Sequence, residues 1–159
     1  MKRKTTLMSI VIALLVIGFT SCNKYDEGPA FSLKSKKGRL TNSWKIEKLL
    51  KNAADHPLSG SNWSVFLEIE IKKDETAVII AGDIDNGHTQ STNIDSKWEW
   101  GDDKKSILFT PTQSFGLYFM PLVATQKKEL SIKKLVSDEL WLINTESNGD
   151  VYEMHFIPK

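Results

Sequence analysis

Val65-Phe66-Leu67-Glu68-Ile69-Glu70-Ile71-Lys72 is the stretch whose reading decides the fold. Val65, Leu67, Ile69 and Ile71 fall on one side of an extended chain. Glu68, Glu70 and Lys72 fall on the other, where Phe66 is the one apolar residue. Successive side chains of extended backbone point to opposite faces, so this alternation predicts a half-buried strand. Lys73-Asp74-Glu75 then supplies a turn, and Thr76 to Ala81 (TAVIIA) a second strand. That strand is apolar on both faces, so its outer side needs a cover. A turn this short makes the pair antiparallel.

The same pattern extends in both directions. Upstream, Trp44-Lys45-Ile46-Glu47-Lys48-Leu49-Leu50 alternates and then slips, which predicts a first strand with a bulge or bend near Leu49. Asn52 to Asn62, with Pro57, Gly60 and small polar residues, reads as a loop. A short helical turn is expected around Lys34 to Leu40, where Leu33 and Leu40, with Phe31, are apolar enough to dock on the domain. Downstream, Gly82 to Ser96 is rich in Asp, Asn, Gly and Thr and reads as a long loop. Lys97 to Trp100 pairs across Gly101-Asp102-Asp103-Lys104 with Ile107 to Phe109, placing Trp98 and Trp100 on one face. Pro111 to Pro121 holds the run Phe115-Gly116-Leu117-Tyr118-Phe119-Met120, which fits either a strand or an apolar loop. Glu129 to Lys133 is a strand, with Leu135 in the connection after it. Glu139 to Asn144 is the next, and the turn at Asn148-Gly149 leads into Val151 to Ile157. The fold class is therefore all-β, an antiparallel up-and-down meander of about eight strands. Such a meander removes its exposed edges by closing into a barrel; a flattened or incompletely closed barrel is the alternative.

The N-terminus has another character. It reads MKRKTTLMSIVIALLVIGFTSC, residues 1 to 22. Lys2, Arg3 and Lys4 precede an apolar run from Leu7 to Phe19, followed by the small residues Thr20 and Ser21. This is the pattern of a secretory signal peptide. The run is shorter than the roughly 20 residues that span a bilayer. Cys22, the single cysteine, stands where a bacterial lipoprotein signal places its lipidated residue, and an uncleaved anchor helix is the competing reading. The expected organisation is a lipoprotein signal peptide at 1–21, a flexible tether at 22–38 and a barrel domain at 39–159. The tether's Asp26 and Glu27, just after Cys22, loosely resemble an acidic export tag of surface lipoproteins, with a solvated linker as the alternative. The expected location is the outer membrane of a bacterial cell envelope, on its periplasmic or surface face.

Loss of the first 21 of 159 residues removes three basic side chains, taking the net charge from +1 to about −2. No basic excess supports nucleic-acid binding. With Cys22 lipidated, no thiol remains for a disulfide, a thiolate metal site or a nucleophile. The sequence leaves the oligomeric state open.

Chemistry is sparse. His56, His88 and His155 lack metal-ligand spacing and read as loop or surface residues. Neither a serine-nucleophile elbow nor a glycine-rich phosphate loop is present. Asp83, Asp85 and Asn86 partly match a calcium loop but lack its later ligands. Glu68 and Glu70, about 7 Å apart along a strand, have the spacing of paired carboxylates, and a solvated strand face accounts for them more simply. Trp44, Trp98, Trp100 and Trp141 read as core or barrel-end packing, with a ligand-lining role as the alternative. Neither catalytic residues, a cofactor nor a metal is expected.

Together, Gly28 to Leu50 (GPAFSLKSKKGRLTNSWKIEKLL), Trp98-Glu99-Trp100-Gly101-Asp102-Asp103-Lys104, and Leu130-Ser131-Ile132-Lys133-Lys134-Leu135 followed by Glu139-Leu140-Trp141-Leu142 resemble the lipocalin-like lipoproteins of Bacteroidetes. Of the lipocalin Gly-x-Trp pattern, Asn42-Ser43-Trp44 keeps the Trp and loses the Gly. No Arg follows Arg39, where lipocalins tend to place one on the last strand. The resemblance implies a lipocalin-like barrel with Trp44 plugging one end, held to the membrane through its N-terminal lipid. An eight-stranded interior is either filled by side chains or hollow enough for one small ligand. Two functions follow: a non-enzymatic module for a small apolar or amphipathic ligand, or an accessory lipoprotein with a filled barrel acting through protein contacts.

Overall fold

The computed structural model describes residues 33–112 and 127–159. Cys22, Phe31 and the aromatic run at 115–120 lie outside these residues. Helix α1 (Lys36–Leu40) precedes nine strands: β1 (Ser43–Lys51), β2 (Ala54–Asp55), β3 (Trp63–Ile71), β4 (Thr76–Asp85), β5 (His88–Trp100), β6 (Ser106–Pro111), β7 (Lys128–Leu135), β8 (Leu140–Thr145) and β9 (Val151–Pro158). All pairings are antiparallel, and sequential neighbours from β3 to β9 lie side by side. β1 pairs with β3 on one edge and with β9 on the other, from Trp44 opposite Pro158 to Lys51 opposite Tyr152. The eight long strands thus close into the expected up-and-down barrel, and β2 is an extra strand on β1.

The slip in β1 is a bulge. Ile46 faces Phe156 and Lys48 faces His155, so Glu47 is the extra residue, two positions before Leu49. An extra residue shifts the period by one. Trp44 and Ile46 face inward before it and Leu49 after it, which is why the apolar pattern breaks there.

Three assignments of loop and connection residues change. The Asn52–Asn62 loop contains β2, because β1 meets β3 only over Ser43 to Lys45 and the two strands then splay. Backbone groups on splayed strands need partners, and this segment supplies them. The His56 N–H donates to the Leu49 carbonyl at 2.9 Å, and the Val65 N–H donates to the Leu58 carbonyl at 2.7 Å. Gly82–Ser96 is not a loop: β4 runs on to Asp85 and β5 starts at His88, joined by Asn86-Gly87. Both turn residues have positive φ, 47° and 82°, the requirement of a two-residue turn matched to strand twist. The polar composition reflects exposure at the tip of this hairpin. Leu135 belongs to β7, opposite Leu140, and is fully buried. A bulge at Lys133 turns it inward.

Phe66 covers the outer side of β4 at Gly82, one residue beyond the apolar Thr76–Ala81 segment. A Cβ on Gly82 would sit 2.5 Å from the Phe66 Cζ atom, so the ring lies across the glycine opposite it in register. In α1, the Ser35 hydroxyl caps the Gly38 N–H at 3.0 Å. Leu40 is buried as expected, whereas Leu33 stands exposed and does not dock.

Candidate functional site

The two ends of the barrel are built from different chemistry. At the end where α1 enters, Leu40, Trp44, Ile71, Trp98, Leu135, Leu140 and Phe156 are buried together. Trp44 is 0 % exposed. Its indole N–H donates to the Leu40 carbonyl at 2.9 Å, and that of Trp98 to the Lys72 carbonyl at 2.8 Å. A buried donor left unpaired is costly, so these two bonds let large aromatics close the end. Trp100 meets Trp98 edge to face at 5.6 Å. This end is a plug.

Above the plug, β4 and β5 form a wall with small inward residues. Ala77 lies opposite Ser96 and Ala81 opposite Thr92, with Ile79 and Ile94 between them. Ser96 is 3 % exposed, and its hydroxyl has no hydrogen-bond partner among the described residues. Asp95 and Lys97 on either side of it point outward and are exposed, so the hydroxyl faces the interior.

At the far end the lining turns polar. Lys51 pairs with Asp150 at 2.8 Å, and its ammonium stands 5.4 Å from the centre of the Tyr152 ring. Lys128 pairs with Glu146 at 3.1 Å, and the nearly buried Asn144 donates its amide to the same carboxylate. Hydrogen bonding to Lys51 holds the Asp150 carboxyl below its ordinary range and raises Lys51 in return. Lys128, then Asn144, lower Glu146 in the same way. These pairs span the rim from β1 to β7, while Asp83, Gln90 and Thr92 occupy inward positions across it on β4 and β5.

The other residues singled out from sequence are not brought together. Glu68 pairs with Lys159 at 2.6 Å and Glu70 with Lys72 at 3.7 Å, an exposed ion-paired face. Asp85 accepts from the Asn86 side chain at 3.0 Å. Among the described residues, no group of three or more His, Cys, Asp or Glu is placed to hold a metal ion. His56 and His88 are exposed. His155 is not a simple surface residue: it stacks on Trp141 with ring centres 3.9 Å apart, and its Nε2 meets Glu153 at 2.7 Å. Burial works against the Glu153 charge, but His155 and Lys133 outweigh it and lower that carboxyl. Trp141, read from sequence as core or barrel-end packing, lies instead on the outer wall, with the Lys134 ammonium 4.4 Å from its ring centre. The register that sets Trp141 opposite His155 was the signal for this cluster, and it follows from pairing β8 with β9 around the Asn148-Gly149 turn.

No protein-family model matches the chain, and no curated protein matches its sequence. Among solved structures it is similar to a lipocalin-like protein from Bacteroides uniformis, at 14% identity and a TM-score of 0.49, covering 77% of this chain and 100% of that one. It is also similar to an odorant-binding protein from bovine nasal mucosa, at 11% identity and a TM-score of 0.44, covering 81% of this chain and 77% of that one. Closure of the barrel rests on the pairing of β1 with β9, independent of either likeness.

Proposed function

We propose that this chain is a non-enzymatic lipoprotein of the bacterial cell envelope, and that its barrel binds a small amphipathic ligand. The observation that carries the binding reading is the buried, unpartnered Ser96 hydroxyl on a wall of small side chains. An unsatisfied buried hydroxyl costs about 1–3 kcal/mol, and a ligand atom that bonds it removes that cost. The apolar plug below and the polar rim above suit a molecule with an apolar body and a polar end, since sites combine apolar lining with a few placed polar groups. Cys22 would carry the lipid, residues 1–21 would be removed, and 22–38 would tether the barrel to the outer membrane.

Native mass spectrometry of the protein purified from its host tests the barrel. A co-purifying small molecule, lost on denaturation, is expected. Ser96→Ala should raise the stability of the ligand-free protein by about 1 kcal/mol or more while reducing ligand retention. A host-purified barrel that carries nothing, with a Ser96→Ala variant no more stable than the parent, leaves the filled barrel and its surface contacts as the function. Cys22→Ser tests the anchor separately: the protein should leave the detergent phase, since several acyl chains are what hold a protein firmly to a bilayer. Unchanged partitioning would overturn the lipoprotein reading.

A further inference from the structure

Trp63, the first residue of β3, differs from the tryptophans that close the barrel. It is 44 % exposed, and no acceptor among the described residues takes its indole N–H. It borders a groove of about 430 Å³ on the rim opposite the plug, formed where the 59–62 segment meets the Asn86-Gly87 turn. Ser59, Ser61, Asn62 and Asn86 line the groove beside it, and no lining residue is charged. The side chains of Ser59, Ser61 and Asn62 make no hydrogen bond within the described chain and are free to bond outward.

The groove is held in shape by the backbone. The Gly60 N–H donates to the Trp63 carbonyl at 2.7 Å and the Asn86 N–H to the Asn62 carbonyl at 2.9 Å, while Ser59 bridges to Ser64. Gly60 lies against the indole: a Cβ there would stand 2.4 Å from the Trp63 Nε1 atom. A shape set before binding lowers the ordering cost of holding a ligand.

We propose that this groove is a binding site for a neutral oligosaccharide, separate from the barrel interior and independent of its proposed ligand. A pyranose ring has an apolar C–H face, which packs on an exposed indole, and a rim of hydroxyls. Each hydroxyl both donates and accepts, as do the serine hydroxyls and asparagine amides around Trp63. A hydrocarbon would strip water from those polar groups without replacing its hydrogen bonds. An anionic ligand would find no lysine or arginine in the lining to pair with.

The indole N–H resonances of the intact protein test this. The Trp63 signal, assigned by its loss in Trp63→Phe, is followed during titration with maltohexaose, cellohexaose or chitohexaose, and with anionic hexagalacturonate. At least one neutral hexaose should shift it saturably while the other indole signals stay in place, and hexagalacturonate should not. Trp63→Ala, followed by isothermal titration calorimetry, should lose binding. Gly60→Ala should also lose it, because the added methyl displaces the indole while every polar side chain of the groove remains. Its unchanged remaining spectrum would show that the barrel is intact. The proposal is overturned if no neutral hexaose moves the Trp63 signal, if hexagalacturonate moves it equally, or if Gly60→Ala binds as the parent does.

Discussion

Trp44 and Trp63 stand at opposite ends of one barrel and show how position assigns different work to the same side chain. Trp44 has no exposed surface, its N–H is bonded, and its ring is surrounded by the residues that seal the barrel. Trp63 leaves nearly half of its surface in solvent, beside serines and asparagines. The sealed end is apolar, with paired donors. The opposite end carries the charged rim Lys51–Asp150 and Lys128–Glu146. The difference teaches that buried aromatic packing is concentrated at one end of the barrel, and exposed aromatic and polar side chains at the other.

The most severe test of this contrast is Trp44→Ala. Removing a buried aromatic costs about 3–5 kcal/mol, a large part of the roughly 5–15 kcal/mol that holds a domain together. A urea melt should show a much lower midpoint, or no folded baseline. A small loss would mean that Trp44 is not the plug.

Acid should act on the charged rim with a smaller effect. Asp150 and Glu146 are held below their ordinary values by their lysine partners, so both bind protons less readily folded than unfolded. Their contribution is complete above the ordinary carboxylate range and is lost as pH falls through the lowered values. Among the described residues the sealed end has one comparable group, Asp74, lowered by the Thr76 hydroxyl and N–H. The outer wall has Glu153, lowered against its burial by His155 and Lys133. Urea midpoints should therefore be level from neutrality to about pH 5 and decline below it. Glu146→Gln should flatten part of that decline and cost at most about 1 kcal/mol at pH 7, as a part-exposed ion pair does. An identical acid profile in Glu146→Gln would remove the rim from the explanation.

Trp63→Ala should change least. Exposed substitutions usually stay within about 0.5 kcal/mol, so its urea midpoint should lie close to the parent's. A loss matching that of Trp44→Ala would erase the distinction between the ends.

Much of the barrel was legible in local pattern. β3, the β5–β6 hairpin and the β8–β9 hairpin alternate strictly enough to be read from sequence, because one face of each is buried. The β4–β5 hairpin was missed because its tip is mostly polar, and its one apolar residue, Ile84, stands exposed. A period-two signal needs a difference between faces, and solvent on both sides removes it. Asn86-Gly87 was the local clue that remained. The small β2 was also hidden, since two residues carry no period and form a strand only because β1 and β3 splay.

The candidate sites were less legible than the fold. The Trp63 groove unites residues 59–64 with 84–87, which only the pairing of β3 with β4 brings together. The Ser96 hydroxyl reads in sequence as one more polar residue in a polar stretch. Its burial depends on β5 pairing with β4 on one edge and β6 on the other within the closed barrel. His155 and Trp141 meet through the register of β8 with β9.

By itself the sequence determined that extended segments alternate, where most of them turn, and that Trp44 falls on an apolar face. Those properties depend on neighbours within a few residues, through backbone geometry and the burial of one face. Tertiary structure alone decided that β1 closes on β9, which end is sealed, and which tryptophan stays exposed. These outcomes depend on register between strands far apart in the chain. A one-residue change of register moves every side chain to the other face.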